Sequence, residues 1–201
     1  MNSLASYSRR KNEIISRLAD FASIPRTPER LFPELAFCLL TPQSKAVNCD
    51  SSIKEMMEQK VLFGGTEDAV KACMKGVRFH NQKSRSIIKA RQHMDILPKI
   101  VSMETRQGRE WLVQNVHGIG YKEASHFLRN VGSGEGIAIL DRHILKNLLK
   151  HGAIAEIPKT LTKKRYLEIE ERMRAFARKV KIPMEHMDLL LWAEEAGMVF
   201  K

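Results

Sequence analysis

Lys122 lies two residues after the glycine of a Gly118-Ile119-Gly120 turn, and Asp141 lies further along, just ahead of an apolar helical pattern. A neutral primary amine is a nucleophile able to form a covalent intermediate. An ionised carboxylate is what a positively charged, oxocarbenium-like transition state requires beside it. Glycine lets the chain turn without a side chain in the way, so the amides of Gly118 and Gly120 can face outward beside the positive end of the next helix. Such a turn suits a phosphate. On that next helix Lys122, Ser125, His126 and Arg129 share a face at helical spacing, opposite an apolar stripe, with the Lys122 amine toward whatever the turn holds. A nucleophile beside a phosphate grip describes a substrate site. Asp141 stands at an N-cap position before Ile144, Leu145, Leu148 and Leu149. Capping alone is one reading of it, and a reactive carboxylate is the other. The two are compatible, because amide donors favour the charged form of a carboxylate.

Elements on either side must hold these groups. Trp111, Leu112 and Val116 before the glycines, and Ala124, Phe127, Leu128 and Val131 after them, predict helix, tight turn, helix over about 110–131. Upstream, a helix from Leu4 to Ile24 ends before Pro25, and Arg9, Arg10 and Lys11 form a small basic cluster on it. Thr27-Pro28-Glu29 reads as N-cap, first-turn proline and first-turn acid, opening an apolar helix through Phe32 to Leu40 that belongs in a core. Pro42 stops it, and Ser44 is placed to cap the next helix. Gln43 between them is either part of an ordinary capped loop or the tip of a polar finger. Thr66 caps a further helix, followed by a run from Lys75 to Arg85 that sets Phe79 among basic residues. An aromatic so placed either stacks on a base or packs in a core at a helix start. After the hairpin, Ser133-Gly134-Glu135-Gly136 is a connector and 137–140 a short apolar run. The helix opened by Asp141 closes at Gly152. Thr162 to Lys181 predicts a helix with Leu167, Ile169, Met173, Phe176 and Val180 inside and Arg172, Arg174, Arg178 and Lys179 outside. The last helix, from Pro183 to Gly197, carries Trp192, and an apolar tail at Met198, Val199 and Phe200 is expected to dock.

A chain of 201 residues with 43% hydrophobic and 28% charged content is a globule of one or two domains. A net charge of +11 calls for a polyanionic partner, against the plainer readings of basic charge for solubility or for an anionic membrane surface. No apolar run approaches a membrane span and the first residues lack a signal-peptide core, so a cytoplasmic protein with no membrane partner is expected. Cys38, Cys49 and Cys73 are odd in number and lack Cys-x-x-Cys spacing, which favours reduced, buried thiols over a disulfide framework or a zinc ribbon.

The run Leu112 … Gly118-Ile119-Gly120-Tyr121-Lys122 followed by Leu140-Asp141-Arg142-His143 resembles the helix-hairpin-helix DNA glycosylases. The short chain and its ending, Leu191-Trp192-Ala193 through Gly197 to Lys201, look most like the compact type-2 8-oxoguanine DNA glycosylase/lyases of prokaryotes, and the resemblance covers almost the whole chain. It implies an all-α, two-lobed fold without an iron–sulfur cluster, residues 24–134 forming one lobe and residues 1–23 with 135–201 the other. It implies that Lys122 attacks the sugar and Asp141 assists, while Gly118, Gly120 and His143 hold the DNA backbone. Phe79 and Trp192 would lie against the extruded base from its two sides, and Lys201 would distinguish 8-oxoguanine from guanine. Gln43 would enter the gap the base leaves. The implied partner is duplex DNA containing 8-oxoguanine, bound by a monomer that needs no metal or cofactor. Two alternatives stay open: a related glycosylase for oxidised pyrimidines or mismatched bases, and a non-catalytic hairpin module that grips DNA. Lys122 together with Asp141 argues against the module, since gripping phosphate needs the glycines and not that aspartate.

Overall fold

The computed structural model describes residues 2–197 and Val199, and every regular element among them is helical. The helices are α1 (Asn2–Ala22), α2 (Pro28–Leu40), α3 (Ala46–Glu58), α4 (Glu67–Ala72), α5 (His80–Ala90), α6 (Leu97–Ile100), α7 (Thr105–Asn115), α8 (Tyr121–Asn130), α9 (Arg142–Lys150), α10 (Lys163–Val180) and α11 (Met184–Ala196), with a 3-10 turn over Arg91–Ile96. Local sequence accounts for most of their ends. Pro28 has no amide proton to lose at the first position of α2, and the Thr66 hydroxyl accepts the Ala69 N–H at 3.3 Å to open α4. Thr162 opens α10 in the same way, and Lys181 closes it in the left-handed region. Thr27 occupies the N-cap of α2 without making a side-chain cap bond.

Two hydrophobic cores organise the chain. The first is built around α2, whose residues from Leu35 to Leu40 are buried without a break, and takes in Cys49, Ile87, Leu112, Phe127 and Leu128. The second combines Tyr7, Ile14 and Phe21 of α1 with Leu148, Met173, Leu190 and their neighbours from α9, α10 and α11. The segment between α8 and α9 passes from one to the other, Ile137 packing in the first core, Ala138 and Leu140 in the second.

The structure adds one feature that the sequence leaves open and corrects two expectations, the Ser44 cap and the outward Arg174. The sequence gives no partner for the face of α8 opposite its apolar stripe, and the structure buries it: Ser125 is 0%, His126 5% and Arg129 9% exposed. Helical periodicity separates apolar from polar faces, but it does not reveal that a second core will cover the polar one. That burial is sustained by pairing: Arg129 faces Asp188 at 3.2 Å, and Ser125 Oγ accepts at 3.3 Å from Arg109, which itself grips Glu170 with two bonds, 2.6 and 3.1 Å. Ser44 is not the N-cap of α3, which is Lys45, because its hydroxyl instead receives the Arg78 N–H and the Lys83 ammonium. Arg174 turns inward to the Gly136 carbonyl and Glu171, while Tyr166 and Glu170 join the buried side of α10.

Candidate active site

The turn between α7 and α8 depends on Gly118, whose φ of +87° is open to few other residues and whose Cβ, if it had one, would lie 2.7 Å from Ser86 Oγ. Gly120 is the N-cap of α8, and its N–H is bonded to Glu123 Oε2 at 3.2 Å. The expectation of an outward-facing amide at Gly120 is therefore not met, because a first-turn acid takes the bond that a phosphate would accept.

In the first turn of α8 the Lys122 amine donates to Thr41 Oγ1 at 3.0 Å and lies 3.9 Å from the Glu123 carboxylate. Thr41 in turn donates to the Cys38 carbonyl, so the amine is tethered to the last turn of α2. Lys122 opens into a crevice of about 370 Å³, counting space shared with solvent, whose walls include Arg129, Asp141, Asp188, Leu189 and Trp192. The structure thus brings together Lys122 of α8, Asp141 at the N-cap of α9 and Trp192 of α11. Asp141 caps α9 as expected: its Oδ1 accepts the N–H groups of His143 and Ile144, both at 2.8 Å. The cap employs one carboxylate oxygen for both bonds. His143 itself is half-buried in the first turn of α9, its Nε2 accepting from Arg142 Nε at 3.2 Å.

Asp188 was missed by sequence reasoning. Burial pushes its carboxyl above the usual range, the Arg129 guanidinium pulls it back, and the charge of Asp141 adds to the upward push. The signal was a single acid inside the apolar run of α11, one turn before Trp192 and hence on the same face.

A second, wider groove of about 1190 Å³, again including open solvent, brings Gln43, Phe79 and Gly118 together with Lys83, Arg85 and His117. Gln43 (φ 54°) and Phe79 (φ 58°) both adopt the left-handed region, which costs a non-glycine residue about 1 kcal/mol or more and marks positions fixed by their surroundings. Lys83 supplies the fixing for Gln43. Its buried ammonium donates to the carbonyls of Leu40 and Pro42 at 2.6 and 2.7 Å and to Ser44 Oγ at 2.9 Å, clamping the loop from both sides. Burial lowers the pKa of that amine, yet the three acceptors satisfy its protons. Phe79 is not a core residue: it is 49% exposed, at the N-cap of α5, with the Arg78 guanidinium 5.4 Å from its ring centre. Phe79 and Trp192 line different cavities in this structure. Lys201 lies outside the described residues, as do Met198 and Phe200 of the tail expected to dock; Val199 is buried, its N–H meeting Glu13 Oε1 at 3.3 Å, and Arg10 donates to the Gly197 carbonyl at 3.1 Å.

No helix among the described residues is long and apolar enough to cross a membrane, and Cys38, Cys49 and Cys73 are free and buried.

A family model described as 8-oxoguanine DNA glycosylase matches residues 14–182. The chain is 46% identical to the 8-oxoguanine DNA glycosylase/AP lyase of Fusobacterium nucleatum subsp. nucleatum, over 97% of this chain and 94% of that protein. It is similar in structure to the Methanocaldococcus jannaschii 8-oxoguanine glycosylase/lyase solved with a 15mer DNA containing 8-oxoguanine, with a TM-score of 0.90, 36% identity and 100% of both chains covered. The 8-oxoguanine DNA glycosylase of Thermotoga maritima superposes with a TM-score of 0.89 at 35% identity, over 100% of this chain and 97% of that one.

Proposed function

Because this chain belongs to the 8-oxoguanine DNA glycosylase family, we propose that it excises 8-oxoguanine from duplex DNA and then cleaves the strand at the abasic site. The observation that carries the reading to this chain's own residues is the meeting of Lys122 and Asp141 in one crevice, the amine on the hairpin helix and the carboxylate at the mouth of α9. A base inside a duplex is out of reach, so the lesion must first be extruded. The neutral Lys122 amine attacks the anomeric carbon, the bond from that carbon to the base breaks, and the base departs with the bonding electrons and takes up a proton. Asp141 offsets the positive charge that develops on the sugar. Ring opening leaves a Schiff base on Lys122, which acidifies the neighbouring carbon, and loss of that proton expels the 3′ phosphate by β-elimination.

The remaining residues take supporting roles in this reading. Trp192 offers its ring from within the crevice and Phe79 from the groove, so the extruded base is held between surfaces that the free protein keeps in separate cavities. Lys201 completes the base pocket from the tail, and Gln43 fills the place the base vacates. Gly118, Gly120 and His143 hold flanking phosphates, Gly120 only once Glu123 releases its amide. Residues 24–134 and residues 1–23 with 135–201 act as two lobes meeting at the DNA, which the separate cores support. The protein works in the cytoplasm as a monomer on duplex DNA.

Base release from duplexes carrying 8-oxoguanine, thymine glycol or undamaged guanine tests this directly. Release from 8-oxoguanine alone is expected. Release from thymine glycol without release of 8-oxoguanine would transfer the protein to the oxidised-pyrimidine glycosylases, and binding without release from any duplex would make it a non-catalytic module.

A further inference from the structure

Lys122 and Asp141 belong to segments joined by a glycine-rich stretch of chain. Between α8 and α9 lie Gly132, Gly134 and Gly136, and two of these, Gly132 and Gly136, adopt positive φ. Such a stretch does not by itself fix a distance between an amine and a carboxylate. A buried polar network does span the gap, and its side chains, Tyr166, Glu170, Arg109 and Ser125, are not among those that wall the reaction crevice.

Tyr166 and Glu170 are one turn apart on α10, each 2% exposed. The Tyr166 hydroxyl donates to the Ala138 carbonyl at 2.6 Å and accepts the Leu140 N–H at 3.2 Å, bracketing the backbone that leads into Asp141. Its oxygen also lies 3.4 Å from Ser125 Oγ, which follows Lys122 by about one turn of α8. Glu170 repeats the connection, accepting the Ala138 N–H at 2.8 Å while holding Arg109 with two bonds, and a third bond of Arg109 goes to Ser125 Oγ at 3.3 Å. The two segments that carry the reacting groups are thereby bonded to the same side chains of a third helix.

We propose that Tyr166 is a positioning residue that sets the separation of the Lys122 amine and the Asp141 carboxylate for base excision, by joining Ser125 to the Ala138–Leu140 backbone. The inference rests on the function assigned above. Burial raises the phenol's pKa well above its ordinary value, so the hydroxyl remains a donor throughout the neutral range. Its role is confined to the step that needs both groups. Base departure requires amine and carboxylate in register, whereas Schiff-base formation at an abasic site already made requires the amine without the leaving base.

Tyr166→Phe tests this, because it removes the hydroxyl and keeps the ring that packs 5.4 Å from Tyr121. Single-turnover excision of 8-oxoguanine is expected to fall about tenfold or more, since misplacement by a fraction of an ångström costs that much in oriented reactions. Borohydride trapping on a preformed abasic site and affinity for a duplex with an uncleavable abasic analogue are expected to stay within about threefold of the wild type. Ser125→Ala cuts the other end, so adding it to Tyr166→Phe is expected to cost less than the product of the two single effects. An unchanged excision rate in Tyr166→Phe, or an equal fall in excision, trapping and affinity, overturns the proposal. A wild type inactive on 8-oxoguanine overturns the proposed function and this inference with it, whereas an active wild type with an equally active variant overturns the inference alone.

Discussion

Asp141 carries two demands on one side chain. As a cap it accepts two backbone N–H groups through Oδ1, and in the proposed reaction it faces a developing positive charge. Substitution separates these demands. Asparagine caps helices about as well as aspartate but carries no charge. Asp141→Asn is therefore expected to leave unfolding free energy within about 0.5 kcal/mol of wild type, while single-turnover excision falls about a hundredfold. A denaturant melt beside a base-release time course measures both, and a variant that lost stability but kept its excision rate would reduce Asp141 to a cap. That Lys122 and Asp141 are candidates for one site was legible in the sequence, because a glycine turn, an adjacent amine and a cap position are all local patterns, and the structure sets both in the wall of one crevice. Asp188 and Lys83 were not legible in that way. Each draws its meaning from partners far along the chain, Arg129 and Asp141 for the first and the carbonyls of Leu40 and Pro42 for the second.

The hairpin is the element on which the most depends. Its turn is shaped by Gly118, and Ser86 of α5, bonded to His117 Nδ1 at 3.1 Å, closes off the space a side chain would need. Gly118→Ala places a Cβ against that hydroxyl at a φ alanine avoids, at a cost of about 1–3 kcal/mol. Urea unfolding is expected to show that loss, with weaker duplex binding as the turn deforms; a variant as stable as wild type would mean that the turn relaxes freely. Helix boundaries were largely readable, since prolines, glycines and hydroxyl caps act within a turn of where they stand, as Pro28, Thr66 and Thr162 do. The fate of the polar face of α8 was not, because periodicity sees one helix at a time. Ser44 misled for a related reason: its hydroxyl satisfies a distant amide and ammonium in preference to the nearby helix end.

Across the whole molecule, α1 is packed on α11. Tyr7 of α1 bonds His186 Nδ1 of α11 at 2.9 Å, and burial depresses the pKa of that imidazole below its ordinary 6.5. A base whose folded-state pKa is lowered binds fewer protons folded than unfolded, so its neutral form supports the fold above pH 6.5 and stability declines as pH falls through that value. The melting temperature is accordingly expected to drop between about pH 7.5 and about pH 5.5, and His186→Gln is expected to shrink that drop. An equal drop in the variant would place the acid sensitivity elsewhere. The net charge of +11 fits a polyanionic partner at this scale, but composition could not have shown how α10 and the 137–140 segment are bonded around the site.

In the proposed reaction the Lys122 amine forms the covalent bond to the sugar of an 8-oxoguanine nucleotide. Borohydride reduction during turnover on an 8-oxoguanine duplex, with wild type beside Lys122→Gln, tests it in a single gel. A covalent protein–DNA adduct is expected with the wild type and none with the variant, although the variant still shifts the duplex in a binding assay. An adduct of undiminished yield in Lys122→Gln, or a wild type that releases the base without ever being trapped, would contradict it.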